Sequence, residues 1–597
     1  MSKERTEFTE NLKWNIKDLY PSATEWKENC DYIEKKLPEL LKYKGHILDN
    51  SNNLYEVLNL DNELSQKIER AYIYAHIQND EDTRNTTFQT MYGKIYNLYV
   101  FYSESASFIT PEILSSDYKQ IDKYINEFPR LKEYERSLKE IFRLKDHVLS
   151  EEVEKVLSTF SSITSIPSDA FSSLTDADMK FGKITNSSGV KEELNESNYR
   201  TFIESGDRRV RKQAFTKLLN TYGLYKNTYA TLLSSEVKKN NRLAKIKKYN
   251  SSLEASLNNF NIPTEIYDNL IDTVKKNIKP LSKFWKLKKQ ALGLSSLHLY
   301  DQFAPITNEV NKKYTIEEAK ELLMKSLSVL GDEYINDLSK AFDERWIDFC
   351  PNQGKRGGAY CTCCYQVHPY VLLSYNGLLN DVSTLAHELG HAMHYYYACK
   401  NQKYQDYEYS IFVAEVASQV NQILLSKYLI NNTNDVELKK YLIDDLIRDF
   451  KSTVYRQTMF AEFEKTISSL EASGEILTHE VLSDIYYKLN KEYNGKSIVI
   501  DPEIKYEWAR IPHFYMFFYV YQYATAYIAA INLSLDILNN KEKAVQNYLE
   551  FLSLGCTKTP IESLKIAGVD ITSESVINNA FSYFDDLVNE LSSLYKA

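Results

Sequence analysis

Residues 381–398 read DVSTLAHELGHAMHYYYA. Apolar residues recur at helical spacing behind Asp381, an acid suited to a helix N-terminus, so the stretch predicts a helix. Within it His387-Glu388-Leu389-Gly390-His391 has the form HExxH. At about 3.6 residues per turn the two histidines stand one turn apart on one face, where both imidazoles can reach a single metal ion. Glu388 lies beside them, placed to act as a base toward water. The bland reading, two histidines that cap or pack a helix, is the weaker one. With 10 His in the chain, chance gives this pentamer on the order of once per hundred such sequences.

A catalytic metal site needs a third protein ligand and keeps its fourth position for water. The next helical stretch, 410–430, reads SIFVAEVASQVNQILLSKYLI, and Glu415 is the only carboxylate between Tyr409 and Asn434. A lone acid on an almost wholly apolar helix is costly to bury as an ion unless a positive group meets it, and Zn²⁺ would do so. Glu415 is therefore expected as the third ligand of one zinc ion per chain. Glu408, in the polar connection KNQKYQDYEY, is the alternative. His394 continues the face of His387 and His391, but four protein ligands would close the site, so it is expected to pack or to orient a neighbour.

Upstream, residues 354–375 read GKRGGAYCTCCYQVHPYVLLSY, alternating, rich in aromatic and β-branched residues, and fit two short strands. Gly354, Gly357 and Gly358 are not followed by Gly-Lys-Ser/Thr, so they are expected to turn the chain and not to cradle phosphate. Cys361, Cys363 and Cys364 lack the second pair that structural zinc sites use. The strand after Gly358 is a candidate to pair with a substrate backbone.

Most of the remaining chain predicts helix. In 597 residues there are only 17 Gly and 13 Pro, well below ordinary usage, and these residues punctuate strands and turns. Amphipathic segments run from Glu25 to about Ser161, for example Leu54 to Ile77 and Thr86 to Phe108, and define an N-terminal helical lobe. KFGKITNSSGVKEEL, 180–194, breaks the pattern as a β-hairpin. Helices resume from Ser197 to Tyr249, Glu265 to Leu292 and Thr315 to Phe342. The expected organisation is a mainly α fold with a small β-sheet near the metal helix, divided into an N-terminal lobe, 1–187, and a catalytic region, 188–597.

The net charge of −10 comes without single-sign blocks, which argues against a nucleic-acid partner. The first twenty residues hold no apolar signal core, and seven cysteines, an odd number, suggest reduced thiols in the cytoplasm. Residues 510–533, RIPHFYMFFYVYQYATAYIAAINL, are long and apolar enough to suggest a membrane span. His513, Gln522, Thr525 and five tyrosines make a lipid setting costly, so a buried helix is expected. The 47 tyrosines need partners for many hydroxyls, which suits a wet internal cleft.

HELGHAMH, followed 24 residues after His391 by the glutamate of FVAEVAS, resembles the thimet-oligopeptidase-like zinc peptidases. WNIKDLYPS near the start, GKRGGAYC, and RIPHFYMFFYVYQYAT near the end are similar to bacterial oligoendopeptidase F, so the resemblance spans about Trp14 to Thr525. It implies a two-lobed helical ellipsoid with a deep channel and a zinc endopeptidase acting on short peptides. The CTCC run is less typical of the family. The resemblance also implies that a histidine and tyrosines of the last motif contact the substrate carbonyl. His513, Tyr519 and Tyr523 are carried over for this oxyanion role, Tyr515, Tyr519, Tyr523 and Tyr527 recurring every four residues as on one helical face. Two other readings compete. A peptide-binding or zinc-storing protein would not need Glu388, and an exopeptidase would need a fixed group for a peptide terminus, which the sequence does not reveal.

Overall fold

The computed structural model describes residues 3–308 and 312–596. It is mostly helical with two small sheets. The N-terminal helices form where the periodicity places them, and short polar side chains begin them. Ser22 and Glu25 make a capping box for Ala23–Leu41, Asn50 accepts from the Asn53 N–H to start Ser51–Glu81, and Asn85 starts Thr86–Ala106. The expected helix from Glu265 to Leu292 is instead two, Thr264–Lys276 and Ile278–Ala291. Pro280 lies in the first turn of the second, and within one continuous helix its ring would meet the carbonyl of residue 276. Thr315 to Phe342 likewise breaks at Gly331, where φ is +93°.

The hairpin is present as β1 (Lys183–Thr185) and β2 (Lys191–Glu193), antiparallel with Ile184 opposite Glu192. The second sheet holds β3 (Ile347–Asp348), β4 (Tyr360–Thr362) and β5 (Tyr370–Leu372) in the order β3-β5-β4. β5 is parallel to β3 and antiparallel to β4, so β4 is an edge. Lys355 ties this sheet together. Its buried ammonium donates to Asp348 Oδ1 (2.6 Å) and to the carbonyls of Cys350 (2.8 Å) and Leu373 (2.7 Å). Gly354, at φ +81°, sits against Asp82 and Arg84, and its carbonyl accepts from the Thr83 N–H (2.8 Å). Gly354 and Gly358 (φ +90°) thus turn the chain, as expected of them.

Two compact units emerge, each made of three separate stretches: Met1–Glu154, Asn311–Leu425 and Leu533–Gly568 in one, Lys155–Val310, Ser426–Asn532 and Val569–Ala597 in the other. This division differs from the one drawn at residue 187. The reason is a shared core: Cys364, Tyr370 and Leu372 pack with Ile68, Ala75, Ile95 and Leu138, so the sheet closes onto the N-terminal helices.

Residues 510–533 depart from the single helix expected of them. Pro512–Tyr515 is a 3₁₀-helix, and the α-helix begins only at Tyr521, running Tyr521–Leu538. Between them Phe517 (φ +51°) and Phe518 (φ +56°) adopt the left-handed conformation, which interrupts any helix of L-residues. Tyr515, Tyr519, Tyr523 and Tyr527 therefore do not share one helical face. Among the described residues no helix is long and apolar enough to cross a membrane.

Candidate active site

The HExxH sequence lies in the helix Leu379–Asn401, which begins two residues before Asp381. Asp381, its third residue, reaches back over the helix start, its Oδ2 accepting from the N–H groups of Leu378 (3.0 Å), the cap residue, and Asn376 (2.8 Å). Glu415 lies in the helix Ile411–Asn432. Gly390 lets the two helices meet at backbone distance, and Asn421 fixes their crossing. Its amide donates to the Ala386 carbonyl (3.2 Å) and accepts from the Tyr334 hydroxyl (3.2 Å).

His387, His391 and Glu415 come together, their donor atoms all within 4.8 Å of one another. The two Nε2 atoms are 3.2 Å apart, and Glu415 Oε2 lies 3.4 Å from His387 Nε2 and 3.5 Å from His391 Nε2. Ligands about 2.0–2.1 Å from a tetrahedral ion are separated by about 3.3–3.4 Å along each edge. The three edges thus fit one small divalent ion, held by two imidazoles and a carboxylate. Glu408 stays outside this group.

His387 and Glu415 are each oriented from behind. His387 Nδ1–H donates to Gln422 Oε1 (2.8 Å), whose Nε2 donates to Ser383 Oγ (3.1 Å). This leaves the lone pair of His387 on Nε2, facing the other donors. Ser418 Oγ donates to Glu415 Oε2 (3.0 Å). The sequence reading missed Gln422, although Glu415, Ser418 and Gln422 follow the i, i+3, i+7 spacing of one face. Burial would lower the pKa of His387, but the bond with Glu415 and its charge outweigh this and raise it. Burial would raise Glu415, yet the bonds with His387 and His391 hold it well below the usual carboxylate range.

Glu388 is not one of the three. It is 6 % exposed, and burial pushes its pKa up against the opposing pull of His387 and His391. A raised carboxylate pKa suits a group that must accept a proton and return it. His394 is buried and stacks on Tyr409, rings 3.6 Å apart and 4° from parallel, with Phe551 at 5.1 Å. It packs, and stands apart from the donor triangle. Among the cysteines, Cys363 meets Cys399 of the HExxH helix, Sγ to Sγ 3.4 Å.

In the other compact unit His513, Tyr519 and Tyr523 form a second cluster. Ring centroids are 6.4 Å apart for His513 and Tyr519, 6.0 Å for His513 and Tyr523, and 5.4 Å for the two tyrosines. All three are half-buried, and burial together with Arg456 lowers the pKa of His513. Tyr515 packs instead on Phe171 (4.8 Å), and Tyr527 is buried against Phe450 (6.2 Å). The left-handed turn at Phe517 and Phe518 separates these roles.

A family model described as Peptidase family M3 matches residues 201–583, and one described as Oligopeptidase F matches residues 112–181. The chain belongs to peptidase family M3 and is a metallo-oligopeptidase. Its particular kin are oligoendopeptidase F proteins. It is 42% identical over 591 residues to oligopeptidase PepF of Bacillus subtilis (strain 168), covering 99% of this chain and 88% of that one. It is 36% identical over 595 residues to an oligoendopeptidase F homolog of Lactococcus lactis subsp. lactis (strain IL1403), covering 100% and 99%. The crystal structure of oligoendopeptidase-F from Enterococcus faecium aligns with a TM-score of 0.77 at 34% identity, over 96% of this chain and 99% of that one.

Proposed function

We propose that this chain is a zinc-dependent endopeptidase that hydrolyses internal bonds of short oligopeptides, with Glu388 as general base. The observation that carries the reading is the triangle of His387 Nε2, His391 Nε2 and Glu415 Oε2, with edges of 3.2, 3.4 and 3.5 Å, beside a buried glutamate on the same helix. Two nitrogens and one carboxylate oxygen at tetrahedral spacing suit Zn²⁺ and leave a position for water or substrate. When bound, Zn²⁺ supplies Lewis acidity that acidifies water and polarises the scissile carbonyl.

The rest falls to the chain's own groups. Glu388 takes the proton of the attacking water and passes it to the leaving amine. The oxyanion of the tetrahedral intermediate needs hydrogen-bond donors, and His513, Tyr519 and Tyr523 are assigned this role, supported by the family resemblance and by their clustering. The free edge of β4 is assigned the pairing of the substrate backbone, which gives sequence-tolerant binding. Seven free thiols suit a reducing compartment such as the cytoplasm.

Glu388→Gln tests the mechanism. We expect it to keep zinc and peptide affinity while kcat falls by roughly 10²–10⁴. A variant with parental kcat rules out Glu388 as the base. A peptide-length series with product mapping tests the substrate class: cleavage only at a terminus would identify an exopeptidase, and rapid internal cleavage of folded proteins would contradict the restriction to short peptides.

A further inference from the structure

Two bulky residues in succession, Phe517 and Phe518, occupy the left-handed region. That conformation is strained for a bulky residue and persists only where surrounding structure imposes it. Two contacts hold this turn. Ser256 Oγ donates to the Phe517 carbonyl (2.9 Å), and the Phe518 N–H donates to Oε1 of Glu464 (3.2 Å). Glu464 lies in the helix Arg456–Ala472 and is 5 % exposed. Its second oxygen, Oε2, is buried without a hydrogen-bond partner. A buried carboxyl beneath a strained turn, used on one oxygen only, is an unusual anchor, since an aliphatic side chain would pack there at less cost.

We infer that Glu464 is a positioning residue, whose carboxyl pins the Phe517–Phe518 turn and so sets Tyr519 against His513 and Tyr523. The inference rests on the oxyanion role proposed for Tyr519. Its geometric basis is independent of that role. Tyr519 immediately follows Phe518, and released from the left-handed turn the chain would carry its ring away from the His513–Tyr523 pair. The Tyr267 ring braces the same turn, its centroid 5.8 Å from Phe518 and 5.0 Å from Tyr521.

The protonation state of Glu464 follows from its surroundings. Burial pushes its pKa up to about 8, opposed only by the bond from the Phe518 N–H. The titratable group facing it is the Tyr267 phenol, from the helix Thr264–Lys276, which itself donates to the Ala461 carbonyl (2.7 Å). Among the described residues no cation is placed to stabilise the ionised form. At neutral pH the group is a neutral acid. As pH rises past about 8 it ionises, and a charge in this apolar setting draws water toward the turn it holds.

The test uses the metal-loaded full chain, an internally quenched peptide substrate, and hydrogen exchange of the Phe518 amide. Glu464→Gln keeps an uncharged acceptor, so it should retain kcat at about pH 6.5 within twofold and show less loss than the parent toward about pH 9. Glu464→Leu should lower kcat about tenfold or more with little change in KM, and should speed exchange at Phe518. Ser256→Ala should shift both readouts the same way, and serves where the leucine variant does not fold. Tyr519→Phe separates this inference from the role on which it rests. Parental kcat in that variant would remove the catalytic role of Tyr519, while exchange at Phe518 would still judge the anchor. Superimposable kcat profiles for parent and Glu464→Gln, or undiminished protection of Phe518 in the folded Glu464→Leu and Ser256→Ala variants, overturns the inference.

Discussion

Gly390 lies directly on the backbone of Ser418: a Cβ built at 390 would stand 2.5 Å from Ser418 Cα and 2.5 Å from the Ala417 carbonyl oxygen. Real Cβ atoms do not approach backbone so closely, and backbone in a helix cannot swing aside as a side-chain tip can. The spacer residue of the HExxH helix thus sets how near the helix Ile411–Asn432 can come. That approach is what brings Glu415 Oε2 within 3.5 Å of both imidazole nitrogens. Gly390 touches no metal, yet it fixes the size of the site.

Gly390→Ala should therefore act on metal affinity before anything else. The helices must separate, and the edges to Glu415 lengthen beyond the roughly 0.2 Å that ligand distances tolerate. Overpacking of this kind costs about 1–3 kcal/mol of stability. We expect weaker zinc retention on dialysis against a chelator and a lower melting temperature. A variant that holds its metal and melts with the parent would show that the helices can part without opening the donor triangle.

Gln422 is the second residue whose effect should exceed its apparent role. Its amide oxygen receives the Nδ1–H of His387 at 2.8 Å and fixes which nitrogen carries the lone pair. Gln422→Leu removes that acceptor and frees the ring to turn. Loss of such a partner weakens metal binding by about 10–100-fold. Competition with a chromogenic chelator measures this directly, and unchanged affinity would mean that helix packing alone orients His387.

What could be read in the sequence was local. The two histidines are four residues apart, so any helix brings them together, and Glu415 betrayed itself as an isolated charge on an apolar helix. The roles of Gly390 and Gln422 depend on where a second helix crosses, which periodicity does not encode. β3 is two residues long, too short to alternate visibly. The four-residue recurrence of tyrosines from Tyr515 to Tyr527 imitated a helix. The left-handed Phe517 and Phe518 that break it carry no glycine or asparagine signal, because tertiary contacts impose the conformation. Nor does periodicity show that the core of one compact unit joins Cys364 and Tyr370 to residues some three hundred positions earlier.

Lys288 offers a test of stability far from any catalytic question. It is fully buried, and its Nζ has no hydrogen-bond partner. Burial lowers its pKa from 10.5 to about 8. A lysine whose folded pKa lies below its unfolded value costs stability in full below the folded pKa, and the cost fades as pH rises toward the unfolded one. Lys288→Met keeps the stem and removes the amine. We expect it to stabilise the chain by up to roughly 3 kcal/mol at pH values below about 8, with little gain near pH 10.5. Melting curves at the two pH values decide the matter, and an equal gain at both would mean that packing and not charge is responsible.

The two acidic residues considered for the third ligand position should separate cleanly under elemental analysis. Glu415 lies between the imidazoles, and its bonds with His387 and His391 outweigh its burial and keep it ionised. Glu408 is exposed beyond the short helix Tyr404–Tyr407 and has no place in the donor group. Glu415→Gln replaces a charged oxygen by a neutral amide, so two imidazoles remain to hold a doubly charged ion, fewer than the three protein ligands of catalytic zinc sites. The metal content of that variant should fall well below one ion per chain after dialysis, and peptide cleavage should fall with it. Glu408→Gln should keep both. Full zinc in Glu415→Gln, or zinc lost from Glu408→Gln with its fold intact, would move the ligand assignment away from the triangle.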